Sequence, residues 1–236
     1  MAVSFGEQIH ALTGFDGDSA SASEIGENYD DITAEWMNMS VREVVNILPP
    51  LLKEKCGTQT TLNASTPQID LDGIGKILRV TRENADSGYQ MPCRQIPADL
   101  AGLSEDPNSI HYASTTDPVY FITSIVSDAG TLIVKPTPTD TQTGIAYHVG
   151  YPVFDADGSG SNVNIKTATS IANFPDEAEY LVVLRAAIFA SEYKLAIEED
   201  VELYAPILAT IKAQYQEGVL ALQTGSTIPQ QRGGKQ

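Results

Sequence analysis

Apolar residues along this chain recur with two different periods, and the change of period divides it. Val41, Val44, Val45 and Leu48 return every three or four residues, the spacing that lines one face of a helix. Ser40 and Glu43 have the spacing of a capping box, so helix is expected from near Thr33 and by Ser40 at the latest. Pro49 and Pro50 lack amide hydrogens and break it, and Pro50 is placed to start a second short helix through Lys53, stopped at Gly57.

From Thr58 to about Thr169 the pattern becomes short runs separated by Gly, Pro, Asn, Asp and Ser, which predicts strands and turns. The runs fall at 76–81, 89–96, 119–124, 131–135 and 145–151, with turns at 85–88, 128–130 and 140–144. Short connections imply mainly antiparallel pairing in a small sheet or sandwich. At Phe174 the helical period returns. Pro175 suits the first helical position, with Asp176 and Glu177 where the helix dipole favours carboxylates. Leu181, Leu184, Ile188, Ser191 and Leu195 form one stripe. Val201, Tyr204, Leu208, Ile211, Tyr215 and Leu222 form a second, after a short link through Glu198, Glu199 and Asp200. Two facing stripes and a short link predict an antiparallel helical hairpin, with Pro206 either near its start or at a kink.

The fold class expected is therefore α+β: a helical bundle, made of an N-terminal helix and a C-terminal antiparallel hairpin, with an inserted antiparallel β-domain. Residues 31–57 and 173–223 make the helical domain and 58–172 the β-rich insertion. Residues 1–30 carry six carboxylates without a basic residue and are rich in Gly and Ser, so they read as a flexible acidic arm, mobile or ordered only against a partner. Residues 224–236 read as a flexible tail.

Charge narrows the function classes. Lys and Arg number 14 against 31 Asp and Glu, a net charge of -17, so the surface would repel nucleic acid instead of gripping its phosphates. The longest apolar stretch, 181–190, is interrupted by Arg185 and falls short of the roughly 18 residues of a membrane span, and no secretory leader is expected. The chain is expected to work in a cytosol or after lysis. Cys56 and Cys93 lie in no paired motif and read as small buried hydrophobes, and His10, His111 and His148 are scattered. Gly73 and Gly75 precede a strand instead of following one, so no phosphate loop is indicated, and no nucleophile elbow or zinc motif occurs. No enzyme and no cofactor are expected.

One motif points to a cation. Asp155, Asp157, Ser159 and Gly160 match positions one, three, five and six of a calcium loop, but the closing carboxylate position is Lys166. A plain Asp/Gly/Ser loop is the alternative reading. Tyr180, Tyr193, Tyr204 and Tyr215 on the hairpin are candidates for an interface or for ordinary packing.

Three stretches carry a family resemblance: 40–52; Asp117-Pro118-Val119-Tyr120-Phe121 with 131–136; and Phe174-Pro175-Asp176 leading into 181–187. With their order along the chain, they resemble the head-to-tail connector, or adaptor, proteins of tailed bacteriophages. The resemblance implies a structural protein of the virion's head-tail junction, assembled in the host cytoplasm as a ring, typically of twelve copies, beneath the portal. It implies helices as ring wall, a β part facing outward or towards the tail, contacts with portal and a downstream tail or nozzle protein, and DNA passing transiently through the lumen. A terminal segment commonly enters the portal, and here residues 223–236 are the candidate. Tyr204, Tyr215, Gln230, Arg232 and Lys235 are the interface candidates. A tail-completion or decoration protein, or a calcium-dependent binding module, are the alternatives.

Overall fold

The first helix begins at a capping box. In the computed structural model, which describes residues 3–14, 29–124, 130–160, 162–197 and 201–224, the Glu7 amide donates to Ser4 Oγ while the Glu7 carboxylate accepts from the Ser4 amide. Helix α1 (Phe5–Thr13) then runs to Gly14, whose φ of 62° closes it in the left-handed region. This helix stands in the stretch read as a flexible arm, and corrects that reading over its own length. Phe5 and Ile9 are buried, Phe5 meets the Phe154 ring edge-on at 5.9 Å, and the Phe5 and Gly6 amides donate to Ala168 and Ile165. Residues 15–28 lie outside the described part.

Helix α2 (Tyr29–Ile47) is continuous and buries Ala34, Trp36, Met37, Val41, Val44 and Val45 at helical spacing. Ser40 is therefore no cap. It sits in mid-helix, buried, and its hydroxyl donates to the Trp36 carbonyl at 2.6 Å, the local bond a helical serine makes when water is excluded. Pro50 starts α3 (Pro50–Lys55) as expected.

Helix α4 (Asp176–Ile197) packs against α1, α2 and α5 (Val201–Thr224). The expected stripe residues Leu181, Leu184, Ile188 and Ser191 are buried, but so are Ala178, Val182, Val183, Ala186, Ala187 and Ala190. A helix apolar on all sides belongs in the middle of a bundle, and α4 occupies that place. Arg185, one of its two basic residues, reaches the rim, where its guanidinium makes a two-pronged pair with Glu43 of α2 at 2.5 and 3.2 Å and lies 4.2 Å from the Phe189 ring.

Residues 152–172, read as part of the β insertion, belong to the helical unit, which comprises residues 1–56 and 152–236. The Asn38 side chain clamps the Phe154 backbone from both sides, donating to its carbonyl at 3.0 Å and accepting from its amide at 2.7 Å. Strands β9 (Phe154–Asp155) and β10 (Val163–Asn164) are a two-residue parallel pair that completes this corner.

The inserted unit spans residues 57–151 and contains two four-stranded sheets. One has the order β1-β8-β3-β4, from β1 (Gly57–Leu62), β3 (Ile77–Glu83), β4 (Gln90–Pro92) and β8 (Gly144–Val149). The other has the order β2-β7-β6-β5, from β2 (Gln68–Asp70), β5 (Arg94–Gln95), β6 (Val119–Thr123) and β7 (Thr131–Lys135). Leu62, Val80 and Ala146 of the first share one core with Ile69, Leu132 and Val134 of the second. All ladders are antiparallel except β5 with β6. The single run expected at 89–96 is two strands, because the chain changes sheets at Cys93, whose amide bonds Val80 before the Arg94 amide turns to Pro118. A 3-10 helix follows at Ala98–Glu105.

Truncating the middle of α4 should be costly: Leu184→Ala is expected to destabilise the helical unit by about 2–5 kcal/mol, read from the shift in urea midpoint at unchanged slope.

Candidate functional site

Each part of the chain singled out for chemistry has a definite place, and most of those places are structural. The Asp155 carboxylate is already occupied by its own loop: it accepts from the Asp157 amide at 2.9 Å, from Ser159 Oγ at 2.5 Å and from Asn162 Nδ2 at 3.5 Å. The Ser159 hydroxyl and the Asp157 amide hold its pKa below the usual carboxylate range. Ser159, expected as a fellow oxygen ligand, spends its donor on Asp155. Lys166, at the closing position, pairs with Asp30 at 2.7 Å, which raises its pKa. Among the described residues no group of three or more His, Cys, Asp and Glu is placed to hold a metal. The loop's geometry is that of an Asx turn stitched to the start of α2.

The histidines serve different elements. His148 is buried in β8 with Nε2 3.0 Å from Thr60 Oγ1, His10 stands in the last turn of α1, and His111 follows the 3-10 helix with its Nδ1 buried and unbonded. Cys56 is buried at the end of α3 and its thiol is pushed up to about 11, while burial pushes Cys93 up to about 12. Neither is poised as a nucleophile at neutral pH.

The tyrosines of the hairpin divide. The Tyr193 ring lies 5.6 Å from Trp36, and Tyr204 has Lys194 Nζ 4.3 Å from its ring centre. Tyr215 is half-buried, and burial raises its pKa. These three pack within the bundle, so Tyr204 and Tyr215 are held by their own subunit, and Tyr180 alone of the four is exposed. Gln230, Arg232 and Lys235 lie outside the described residues.

The surface that sequence reasoning missed is the far side of α5. Ile211 is buried, and Tyr204, Leu208, Tyr215 and Leu222 are half-buried on the face towards α4. There the two helices come so close at Gly218 that a Cβ would stand 2.5 Å from Leu181 Cδ2. On the opposite face Ala205, Ala209, Ala213, Gln216 and Leu220 recur at helical spacing, all exposed, with Leu220 at 61%, and the exposed carboxylates Glu202 and Glu217 stand among them. The alanines give no hydrophobic signal strong enough to stand out, and the inner stripe drew the pattern to itself. The helix continues through Pro206, which stands among these exposed residues.

Helix α5 is thus packed along one side and exposed along the other, where Ala209, Ala213 and Leu220 share a row with Glu202 and Glu217. The sequence profile of the SU10 adaptor protein family matches residues 17–233, and the chain belongs to that family. It is a structural bacteriophage adaptor, a component of the virion, and adaptors act through contacts with other phage structural proteins. No curated protein matches the chain. No helix among the described residues is long and apolar enough to cross a membrane.

Because the folded pKa of Asp155 is depressed, the loop's carboxylate bonds are present above the ordinary Asp range and are lost as pH falls through the lowered value. Acidification from pH 6 to below about pH 3 is expected to lower the protection of the Asp157 amide relative to its intrinsic exchange rate, as should Asp155→Ala at neutral pH. Millimolar calcium is expected to leave that exchange unchanged.

Proposed function

We propose that this adaptor forms a ring, of about twelve copies as in the connector proteins it resembles, between the portal and the next tail component. DNA passes through its lumen. The observation that carries this reading is the two-faced α5: a helix about 36 Å long that packs along one side on α4 and on the other exposes Ala205, Ala209 and Ala213 between the carboxylates Glu202 and Glu217. Alanine lets helix axes approach closely, so a neighbouring subunit's helix can seat there without a prior rearrangement. Repeating one such heterologous contact closes into a ring when the rotation per copy divides a full turn.

Charge supports the same reading. The helical unit carries 21 Asp and Glu against 9 Lys and Arg, so a ring walled by it presents negative potential to its channel. DNA is then repelled from the wall and slides past it, and added salt weakens the repulsion. The tail 225–236, with Gln230, Arg232 and Lys235, is the docking segment for the portal, where its two cations meet a partner without the subunit's own acidic excess.

Electron microscopy of the protein mixed with its portal tests the reading directly: a stacked ring of related symmetry is expected, and a subunit that stays single and ignores the portal refutes it. Ala209→Trp and Ala213→Glu alter only exposed positions, so thermal stability should hold within about 0.5 kcal/mol while ring formation is lost. Deleting residues 225–236 should leave the fold intact and weaken portal binding; unchanged binding would remove the tail from the docking role.

A further inference from the structure

A sheet edge is a row of unpaired donors and acceptors, and proteins blunt such rows with charge, proline, brevity or cover. Three of the four edges in the inserted unit are treated in this way. β5 has two residues, and β2 has three and ends in Asp70. β4 also has three, and the Cys93 amide bonds to Val80 while Asn84 bonds the Tyr89 carbonyl, so the alternate position Pro92 stands on the outward side, where it supplies no donor.

β1 is different. Its sequence Gly-Thr-Gln-Thr-Thr-Leu has no charge, no proline and a ladder to β8 without a bulge. The direction of its bonds follows from its neighbour. Val149 of β8 donates to Lys76 and accepts from Gly75, and Thr143 accepts from Glu83, so odd-numbered residues of β8 bond towards β3. Even-numbered ones bond towards β1, which pairs Thr58 with His148, Thr60 with Ala146 and Leu62 with Gly144. The amides and carbonyls of Gly57, Gln59 and Thr61 therefore point away from the sheet. Thr58, Gln59 and Thr61 are exposed.

We propose that β1 is a docking edge for β1 of a second copy, paired antiparallel about Gln59 to join two four-stranded sheets into one of eight. The register is self-complementary. Gln59 faces Gln59 of the second copy, the outward groups of Gly57 meet those of Thr61, and Thr58 lies opposite Thr60, a favourable cross-strand pair. The ladder has about six main-chain bonds. A two-fold contact suits this edge because two copies of net charge -17 repel over most of their surfaces, and Gly57–Leu62 is a stretch where neither brings a charge. The contact is closed and isologous, so it is separate from the head-to-tail contact of the ring and does not rest on it.

Sedimentation equilibrium of the free full-length chain tests it. A species of twice 25.3 kDa is expected, strengthening with salt as the acidic repulsion is screened. Gln59→Pro removes one outward amide and no bond to β8, so it should weaken association by about tenfold or more at unchanged circular dichroism. Ala209→Trp should leave the dimer intact. The proposal is overturned if the wild type is monomeric at every salt concentration, if Gln59→Pro dimerises as tightly as wild type, or if Ala209→Trp abolishes the dimer.

Discussion

The helical unit depends on one constraint: α4 must be hidden on every side. From Leu181 to Ala190 every residue except Arg185 and Phe189 is apolar and buried, and a stretch of that kind has no face to give to water. Three helices are needed to surround it, which is why α1, α2 and α5 all pack on it although they come from opposite ends of the chain. The corner at residues 154–168 follows from the same demand. It pins α1 through the Ala168 and Ile165 carbonyls and α2 through Asn38, and so fixes two of the three covers relative to each other. Covering α4 uses only one face of α5, and the opposite face stays exposed.

The inserted unit has its own constraint in Arg82. This guanidinium is only 2% exposed yet faces no carboxylate within pairing distance among the described residues. It donates instead to the carbonyls of Pro136, Glu83 and Thr137 and to Gln142 Oε1. A buried cation needs its donors filled, and here three of the four acceptors, Pro136, Thr137 and Gln142, belong to the connection between β7 and β8. Burial lowers its pKa, but not enough to discharge an arginine. Arg82 thus ties the strand that carries one sheet to the chain that crosses from the other, which supports the two-sheet core around Leu62, Ile69 and Val134.

Much of this architecture was legible in the sequence because period and proline placement are local signals. Val41 to Leu48, Pro50 and Phe174-Pro175-Asp176 marked the bundle, and the run at 131–135 marked β7 to the residue. What was missed had weak or misplaced signals. Helix α1 is short and followed by a Gly/Ser-rich acidic stretch, so its surroundings hid the Ser4 and Glu7 capping box, while the same spacing at Ser40 and Glu43 drew a false start in mid-helix. β1 has no alternation of apolar residues because only Leu62 enters the core. The Asp155 spacing was real, but an Asx turn and a cation loop share their first residues, and only the donors around the carboxylate separate them. Of the candidate assembly surface, the sequence carried the buried stripe and concealed the exposed one, because alanine is compatible with either side of a helix.

The ion pairs show what kind of contact this subunit can make. Lys55 pairs with Glu177, Lys166 with Asp30, Arg185 with Glu43 and Lys212 with Glu192, all within the helical unit. Each exposed pair contributes at most about 1 kcal/mol, so their combined effect on stability is modest. Their effect on charge is larger: four of the unit's cations already have an acidic neighbour, and the carboxylates left over have no cation of equal number on another copy to meet. Like copies therefore meet with a net repulsion. The proposed contacts lie at the Ala205–Ala213 stretch of α5, between Glu202 and Glu217, and at the uncharged backbone edge of β1. An acidic subunit surface makes any association of like copies depend on ionic strength and on close geometric fit.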